Sequence, residues 1–305
     1  MTPLAKRQAF RAILNRSTAT LMPGGFSPIY ALMAERIGFE CFFVAGSQVA
    51  TFLLGVPDAG ILGLRDMVDH VRHVAARCSI PILADCDTGY GNAVNVAYTV
   101  EEVIRSGAAG LQIEDQEAPK KSGTLTGRRC IGLDEAAGKI RSAVAARDAL
   151  DPAFVICARC DAIGAEGSSF EDALERCRAY AASGADLVWL NTVQSTDQVR
   201  RAAQAIAVPL LVAWGGPGMG PTIDEYSAYG ARIALFPTIA STAGLDASWH
   251  VLNDLHARGP VAIHDYQTDM RSRGWGAVNR RELLQNERVR DLEERFIPSS
   301  QRREY

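Results

Sequence analysis

Short apolar runs alternate with amphipathic stretches along most of this chain. The runs Thr20–Pro23, Cys41–Val44, Ile82–Asp85, Gly110–Glu114, Phe154–Arg159, Leu187–Leu190, Leu210–Val212 and Ile233–Leu235 have the length and composition of strands buried on both faces. Between them, Leu64–Arg77, Asn92–Ser106, Asp134–Leu150, Phe170–Ser183 and Thr196–Ile206 place apolar residues at helical spacing, several with glycine near the expected C-cap. Strand and helix in alternation imply a parallel sheet, and eight strands is the number that closes an α/β barrel of the (β/α)8 TIM type. The pieces Ser106-Gly-Ala-Ala-Gly110 and Ser183-Gly-Ala-Asp186 repeat one punctuation, a helix end turning into the next strand. A doubly wound open sheet shares this periodicity, but no G-x-G-x-x-G follows the first strand.

After Trp249 the pattern turns polar and charged, through Gly259-Pro260 and Arg271-Ser-Arg-Gly-Trp275. Residues 1–250 are therefore expected to form the barrel, and 251–305 a helical extension of the same domain. Arg280 to Phe296 reads as a helix with Leu283, Leu284, Val289, Leu292 and Phe296 on one stripe. That stripe needs cover, expected from a neighbouring subunit; packing on its own barrel is the alternative.

Composition excludes more than it assigns. The chain has 305 residues, 48% hydrophobic and 22% charged, with net charge −3, an ordinary globular balance and not that of a nucleic-acid binder. No apolar run approaches the roughly 20 residues that cross a bilayer, and the N-terminus lacks a leader pattern, so no membrane association and a cytoplasmic location are expected. The seven cysteines lie mostly inside apolar runs and read as buried reduced thiols. Cys157 and Cys160 form a C-x-x-C, but within a strand they face opposite sides and cannot share a zinc ion.

The chemistry gathers where the apolar runs end. Ile82-Leu-Ala-Asp-Cys-Asp-Thr-Gly-Tyr-Gly91 closes in two carboxylates two positions apart, which a strand points the same way, suiting one hard divalent cation. Gly110-Leu-Gln-Ile-Glu-Asp115 also ends in carboxylates, and the fifth run ends near Arg159 and Asp161. In a parallel barrel these positions fall at the C-terminal face, where active sites are built.

Asp85-Cys-Asp-Thr-Gly-Tyr-Gly-Asn92, Ile113-Glu-Asp-Gln116, Lys120-Lys-Ser-Gly123 and Ala158-Arg-Cys-Asp-Ala162 resemble, in order and spacing, the isocitrate lyase and phosphoenolpyruvate mutase superfamily. The likeness covers roughly residues 8 to 245. It implies an (α/β)8 barrel, a magnesium ion that manganese can replace, and a homotetramer whose C-terminal helices swap between subunits. Carried over by residue, it makes Asp85 the direct ligand and has Asp58, Asp87 and Glu114 hold the ion's waters. For Asp58 the plainer reading is a Pro57-Asp58 turn. The resemblance further implies that Ala45-Gly46-Ser47 grips a substrate carboxylate and that Arg159 pairs with substrate oxygens.

Three departures narrow the chemistry. Family lyases carry K-K-C-G-H on a mobile loop, where this chain has Lys120-Lys121-Ser122-Gly123-Thr124; a serine hydroxyl is a far weaker acid than a thiol. Asn191 stands where lyases place a glutamate, and Phe236–Thr242 offers no arginine for a second carboxylate. Both argue against isocitrate or methylisocitrate cleavage. The expectation is a magnesium-dependent carbon–carbon lyase, cutting by retro-aldol reaction or decarboxylation a small anionic 2-hydroxy or 2-oxo carboxylate such as a substituted malate or oxaloacetate. A metal-stabilised enolate would form, resembling the chemistry of dimethylmalate lyase and oxaloacetate decarboxylase members.

Lys121, Ser122, Arg159 and Asp58 are the expected catalytic groups, with Gly123, Asn191 and Trp214 at the substrate. The loop from Gln116 to Arg129 is expected to serve as a lid. The glycines of Trp214-Gly-Gly-Pro-Gly-Met-Gly220 either bend around a bulky substrate or form a plain flexible loop. Two alternatives remain: P–C bond chemistry of the phosphonopyruvate hydrolase or phosphoenolpyruvate mutase kind, and a non-catalytic carboxylate-binding barrel.

Overall fold

A computed structural model describes residues 1–274, 281–284 and 286–302. The chain divides into two compact units, Met1–Ser241 and the residues from Thr242 onward. In the first, β1 (Thr20–Gly25), β2 (Phe42–Val44), β3 (Ile82–Asp85), β4 (Gly110–Glu114), β5 (Val155–Cys160), β6 (Leu187–Val193), β7 (Leu210–Trp214) and β8 (Ile233–Phe236) pair in parallel in chain order. β8 returns to β1, closing the barrel and excluding the open sheet that shares its periodicity.

Helices α4 (Leu64–Ala75), α5 (Ala93–Ser106), α6 (Leu133–Leu150), α7 (Phe170–Ala182) and α8 (Thr196–Ala205) fall where the pattern puts them. After α5 and α7 the chain turns through Gly107 and Gly184 at φ 91° and 95°, so the repeated Ser-Gly-Ala pieces do share one left-handed turn. The pattern missed α1 (Pro3–Leu14), α2 (Pro28–Ile37), the four-residue α3 (Gly46–Val49) with its π-helical continuation Ala50–Leu54, and α9 (Ile223–Tyr229). Of these, α3 and α9, with four and seven residues, are too short for a strong stripe. In α1 the apolar face is interrupted by basic residues.

Strand parity sorts the side chains. Phe43, Leu83, Val155, Leu187, Leu211 and Ile233 pack inside the barrel with Phe10, Ile13 and Leu14 of α1. Their neighbours Ile82, Leu111 and Ile156 face outward against Val71 of α4 and Val100 of α5. Cys157 lies with the inner set and Cys160 with the outer, and all seven cysteines are free.

The base of the barrel is sealed by α1, whose cations reach backbone carbonyls. Lys6 Nζ donates to Ala75 O and Cys78 O at 2.6 and 2.5 Å, and Arg7 to Ala108 O and Ile104 O at 3.0 and 2.6 Å while pairing with Asp151. Ala75 and Ile104 are in the last turns of α4 and α5, whose carbonyls lack intrahelical donors and favour positive charge.

Helix α10 (Ile239–Arg258) crosses the unit boundary, and the second unit continues as α11 (Pro260–Ser272) and α12 (Asn286–Phe296). Val289, Leu292 and Phe296 on α12 are exposed, whereas Leu283 is buried. Trp275 and Arg280, named in the sequence reading, lie outside the described residues. Among those described, no helix is long and apolar enough to cross a membrane.

Candidate active site

The inward rows of β3 to β6 change character at their C-terminal ends. Above the apolar layers they present Asp85, Gln112, Glu114, Arg159, Asp161 and Asn191, all buried. Asp85 is held on every side: Oδ2 accepts the Gly46 N–H at 2.9 Å, and Oδ1 accepts the Asp87 N–H at 3.1 Å and the Gln112 amide. Gly46 lets the two carboxylates approach closely, since a Cβ would lie 3.2 Å from Asp85 Cγ and 3.3 Å from Asp87 Oδ1. Just past β3 the turn carries Asp87 and Tyr90 at φ 47° and 59°, a left-handed conformation costly for residues other than glycine. Neighbours hold it in place: Glu114 N donates to Asp87 O at 2.9 Å, and buried Lys139 of α6 reaches Thr88 O at 3.0 Å.

One cation sits among these acids. Lys120 Nζ lies 2.7 Å from both Asp58 Oδ1 and Asp87 Oδ1, and 3.9 Å from Glu114 Oε1. Beside it, the Arg159 guanidinium is 3.2 Å from Glu114 Oε2 and 3.0 Å from Asp161 Oδ1, with its carbon 4.4 Å above the Trp189 ring. Burial, then the charge of Asp85, pushes the Asp87 carboxyl up to about 6 despite Lys120. Burial pushes Glu114 well above the carboxylate range against the pull of Arg159 and Lys120. For Asp161 burial also pushes upward, but Arg159 and the amides of Gln116 and Asn191 outweigh it and hold the carboxyl below its ordinary range.

Asp87 Oδ1 and both Glu114 oxygens are buried without a hydrogen bond; the contact of Lys120 with the first is close but lacks hydrogen-bond geometry. Buried acceptors left without donors are costly, and a hydrated cation is the group that satisfies them. Among the described residues, no three His, Cys, Asp or Glu side chains converge tightly enough to cage a bare ion. That donor set fits magnesium, which keeps several waters and takes one or two carboxylates directly, and does not fit zinc.

The loop after β4 is folded down over this group. Gln116 bridges to Cys130, and its side chain grips Lys121 N and Lys121 O at 3.0 Å each. Buried Arg128 donates to Gly123 O, Leu125 O and Ile163 O at 2.5, 2.8 and 2.6 Å, and Asn191 Nδ2 reaches Gly123 O at 3.2 Å. Gly123 presses so closely on the site that a Cβ there would fall 2.1 Å from Arg159 Nη2.

Several sequence-predicted residues sit differently from expectation. Lys121 is exposed and its ammonium faces Gly127, so the buried member of the lysine pair is Lys120. Sequence cannot choose between adjacent lysines, because the choice is made by the grip of Gln116 on the backbone at 121. Ser122 is half-buried, one residue from the contact with Arg159. In the trio expected to grip a carboxylate, Ala45 N already donates to Gly25 O and Gly46 N to Asp85, which leaves Ser47 open to a ligand.

Trp214 follows inward-facing Leu211 and Ala213 on β7, so alternation turns it toward the helices. There Gly216 and Gly220 pack on its indole, each too close for a Cβ. Those glycines serve the tryptophan rather than a substrate wall. Gln112 and Lys139 escaped the sequence reading, each acting through a long-range contact with no local signature; Lys120, Gln116 and Arg128 stood in its motifs and its lid loop without being given these roles.

The same organisation recurs in known proteins. The phosphoenolpyruvate phosphomutase family model matches residues 10–252. A 2-methylisocitrate lyase of Aeropyrum pernix is 37% identical, over 82% of this chain and 79% of its own. An oxaloacetate decarboxylase of Rhodopseudomonas palustris is 39% identical, over 77% and 80%. Among solved structures, a phosphonopyruvate hydrolase complexed with oxalate and magnesium superposes with a TM-score of 0.83 at 29% identity, covering 98% of this chain and all of that one. The chain belongs to the phosphoenolpyruvate mutase and isocitrate lyase superfamily, and relatives include lyases of small carboxylates.

Proposed function

We propose that this protein is a magnesium-dependent carbon–carbon lyase acting on a small 2-hydroxy or 2-oxo carboxylate, with a substituted malate or oxaloacetate as the substrate class. The observation that carries this reading is the gathering of Asp58, Asp87 and Glu114 around the Lys120 ammonium, beside Asp85 and Arg159, at the mouth of a barrel. Asp85, with Asp58, Asp87 and Glu114 around it, would hold the ion, which would supply Lewis-acid pull on the electrons of the breaking bond.

The chain's own residues do the rest. Arg159, kept charged by Asp161 and Glu114, orients the substrate's carboxylate oxygens through a planar fork of donors. Asn191, fixed on Asp161, offers no charge to a second carboxylate. Gly123 and the loop around it exclude water above the reacting carbons.

The test is turnover of substituted malates, oxaloacetate and phosphonopyruvate, each with magnesium and with EDTA. Metal-dependent release of pyruvate or carbon dioxide supports the proposal. Phosphate release from phosphonopyruvate alone moves the protein to P–C chemistry, and no turnover of any member removes the lyase reading.

A further inference from the structure

Glu114 faces into the barrel, so alternation turns the next residue, Asp115, out toward α7. There its buried carboxylate is held on both oxygens. Oδ2 takes the Tyr180 hydroxyl at 2.6 Å and the Arg176 guanidinium at 3.3 Å, and Oδ1 takes the Asp161 N–H at 2.8 Å and the Cys130 thiol at 3.7 Å. Its own carbonyl accepts Ile131 N at 2.9 Å, and Arg176 also donates to Ile131 O at 2.9 Å.

These bonds reach the site from behind. Asp161, whose backbone hangs on Asp115, uses its own carboxylate to hold the Arg159 guanidinium at 3.0 Å, the Gln116 amide at 2.8 Å and the Asn191 amide. Gln116 in turn grips the loop at Lys121. Cys130 and Ile131 are the returning root of that loop, paired with its outgoing limb through the Gln116–Cys130 bridge and the bond from Glu117 N to Arg129 O at 2.8 Å. Asp115 therefore stands where the arginine side of the site and both limbs of its cover meet.

We propose that Asp115, with Tyr180 and Arg176, is a positioning unit: it fixes the backbone of Asp161, and through it Arg159, together with the root of the loop, so that the carboxylate fork and its cover are set as one. All three residues act through others. The proposal rests on the lyase reading only in taking Arg159 as the group that meets the substrate's carboxylate.

The experiment uses the full chain. Tyr180→Phe removes one oxygen and keeps the ring that packs in the outer core, and Arg176→Met removes the guanidinium. Leu174→Ala is the comparison: Leu174 is buried on the same helix in the same cluster, so its truncation opens a cavity without taking a partner from Asp115. Oxalate is titrated by calorimetry with magnesium chloride present, and hydrogen exchange is followed over residues 129–132 and 160–162 without ligand. Tyr180→Phe and Arg176→Met should each bind oxalate about tenfold more weakly, short of the roughly hundredfold that an ångström of misplacement can cost. Exchange should rise in both segments, and more over 129–132 in Arg176→Met, which loses the bond to Ile131 O. Leu174→Ala, though destabilised, should bind oxalate as wild type does and show no selective rise in either segment.

Oxalate affinity equal to wild type in both Tyr180→Phe and Arg176→Met overturns the proposal. Equal weakening in Leu174→Ala does the same, because it would show that Asp115 and its partners merely hold the fold. Oxalate bound by none of the four proteins removes Arg159 as the carboxylate site of the lyase reading; exchange then decides the positioning unit alone, and a uniform rise along the chain, or none over 129–132 and 160–162, overturns it.

Discussion

Both ends of this barrel bury charge, and they do so to opposite effect. At the base, Lys6 and Arg7 of α1 meet backbone carbonyls and Asp151. Arg11 adds Ala153 O at 2.9 Å and Asp186 at 3.0 Å. At the mouth, Asp87 Oδ1 and both Glu114 oxygens accept no hydrogen bond, the three non-glycine residues Asp87, Tyr90 and Thr192 are left-handed, and a lysine is enclosed by acids. A satisfied buried charge holds a fold together; an under-satisfied one, kept in place by its neighbours, is poised for something that arrives from outside.

The contrast can be broken most severely at the base. Arg7→Ala leaves Asp151 and two carbonyls without their donor and should cost about 3–5 kcal/mol in chemical denaturation, with turnover per folded molecule unchanged. Loss of turnover in parallel with stability would erase the division of labour between the two ends. At the mouth, Arg159→Met should cut turnover by about 10²- to 10³-fold while the circular dichroism spectrum stays that of wild type.

Asp87→Asn sharpens the comparison further. Magnesium affinity should fall by about 10- to 100-fold, yet the metal-free protein should be no less stable. The sign follows from the titration: the folded carboxyl holds its proton up to about 6 instead of 3.8, so its contribution is present at low pH and is lost as pH climbs through that interval. Melting temperatures of the metal-free protein should therefore drop less between those pH values in Asp87→Asn than in wild type. A larger drop in the variant would show that Asp87 stabilises the fold as an anion. Gly46→Ala should act least: a Cβ 3.2 to 3.3 Å from Asp85 and Asp87 needs only a few tenths of an ångström of relief, so magnesium binding by calorimetry should weaken less than in Asp87→Asn.

How much of this was legible differs by residue. The eight strands were, because burial on both faces writes a run of apolar residues into each, and Asp85, Glu114 and Arg159 announced themselves by ending such runs. Helix α1 was not, because Lys6, Arg7 and Arg11 look like solvated charges until the carbonyls they bind come round from helix ends and turns far along the chain. Lys120 and Lys121 are indistinguishable as letters. Trp214 suggested a substrate wall, and only the parity of β7 with the glycines packed on its indole turned it away from the mouth.

By itself the sequence determined the barrel and the strand ends at which its acids gather, since periodicity and residue type are local properties that survive without a fold. Tertiary structure alone decided which lysine enters the acids, which amides are already taken, and that Gly123 covers Arg159. Those outcomes depend on distances between segments that have no fixed relation until the barrel closes.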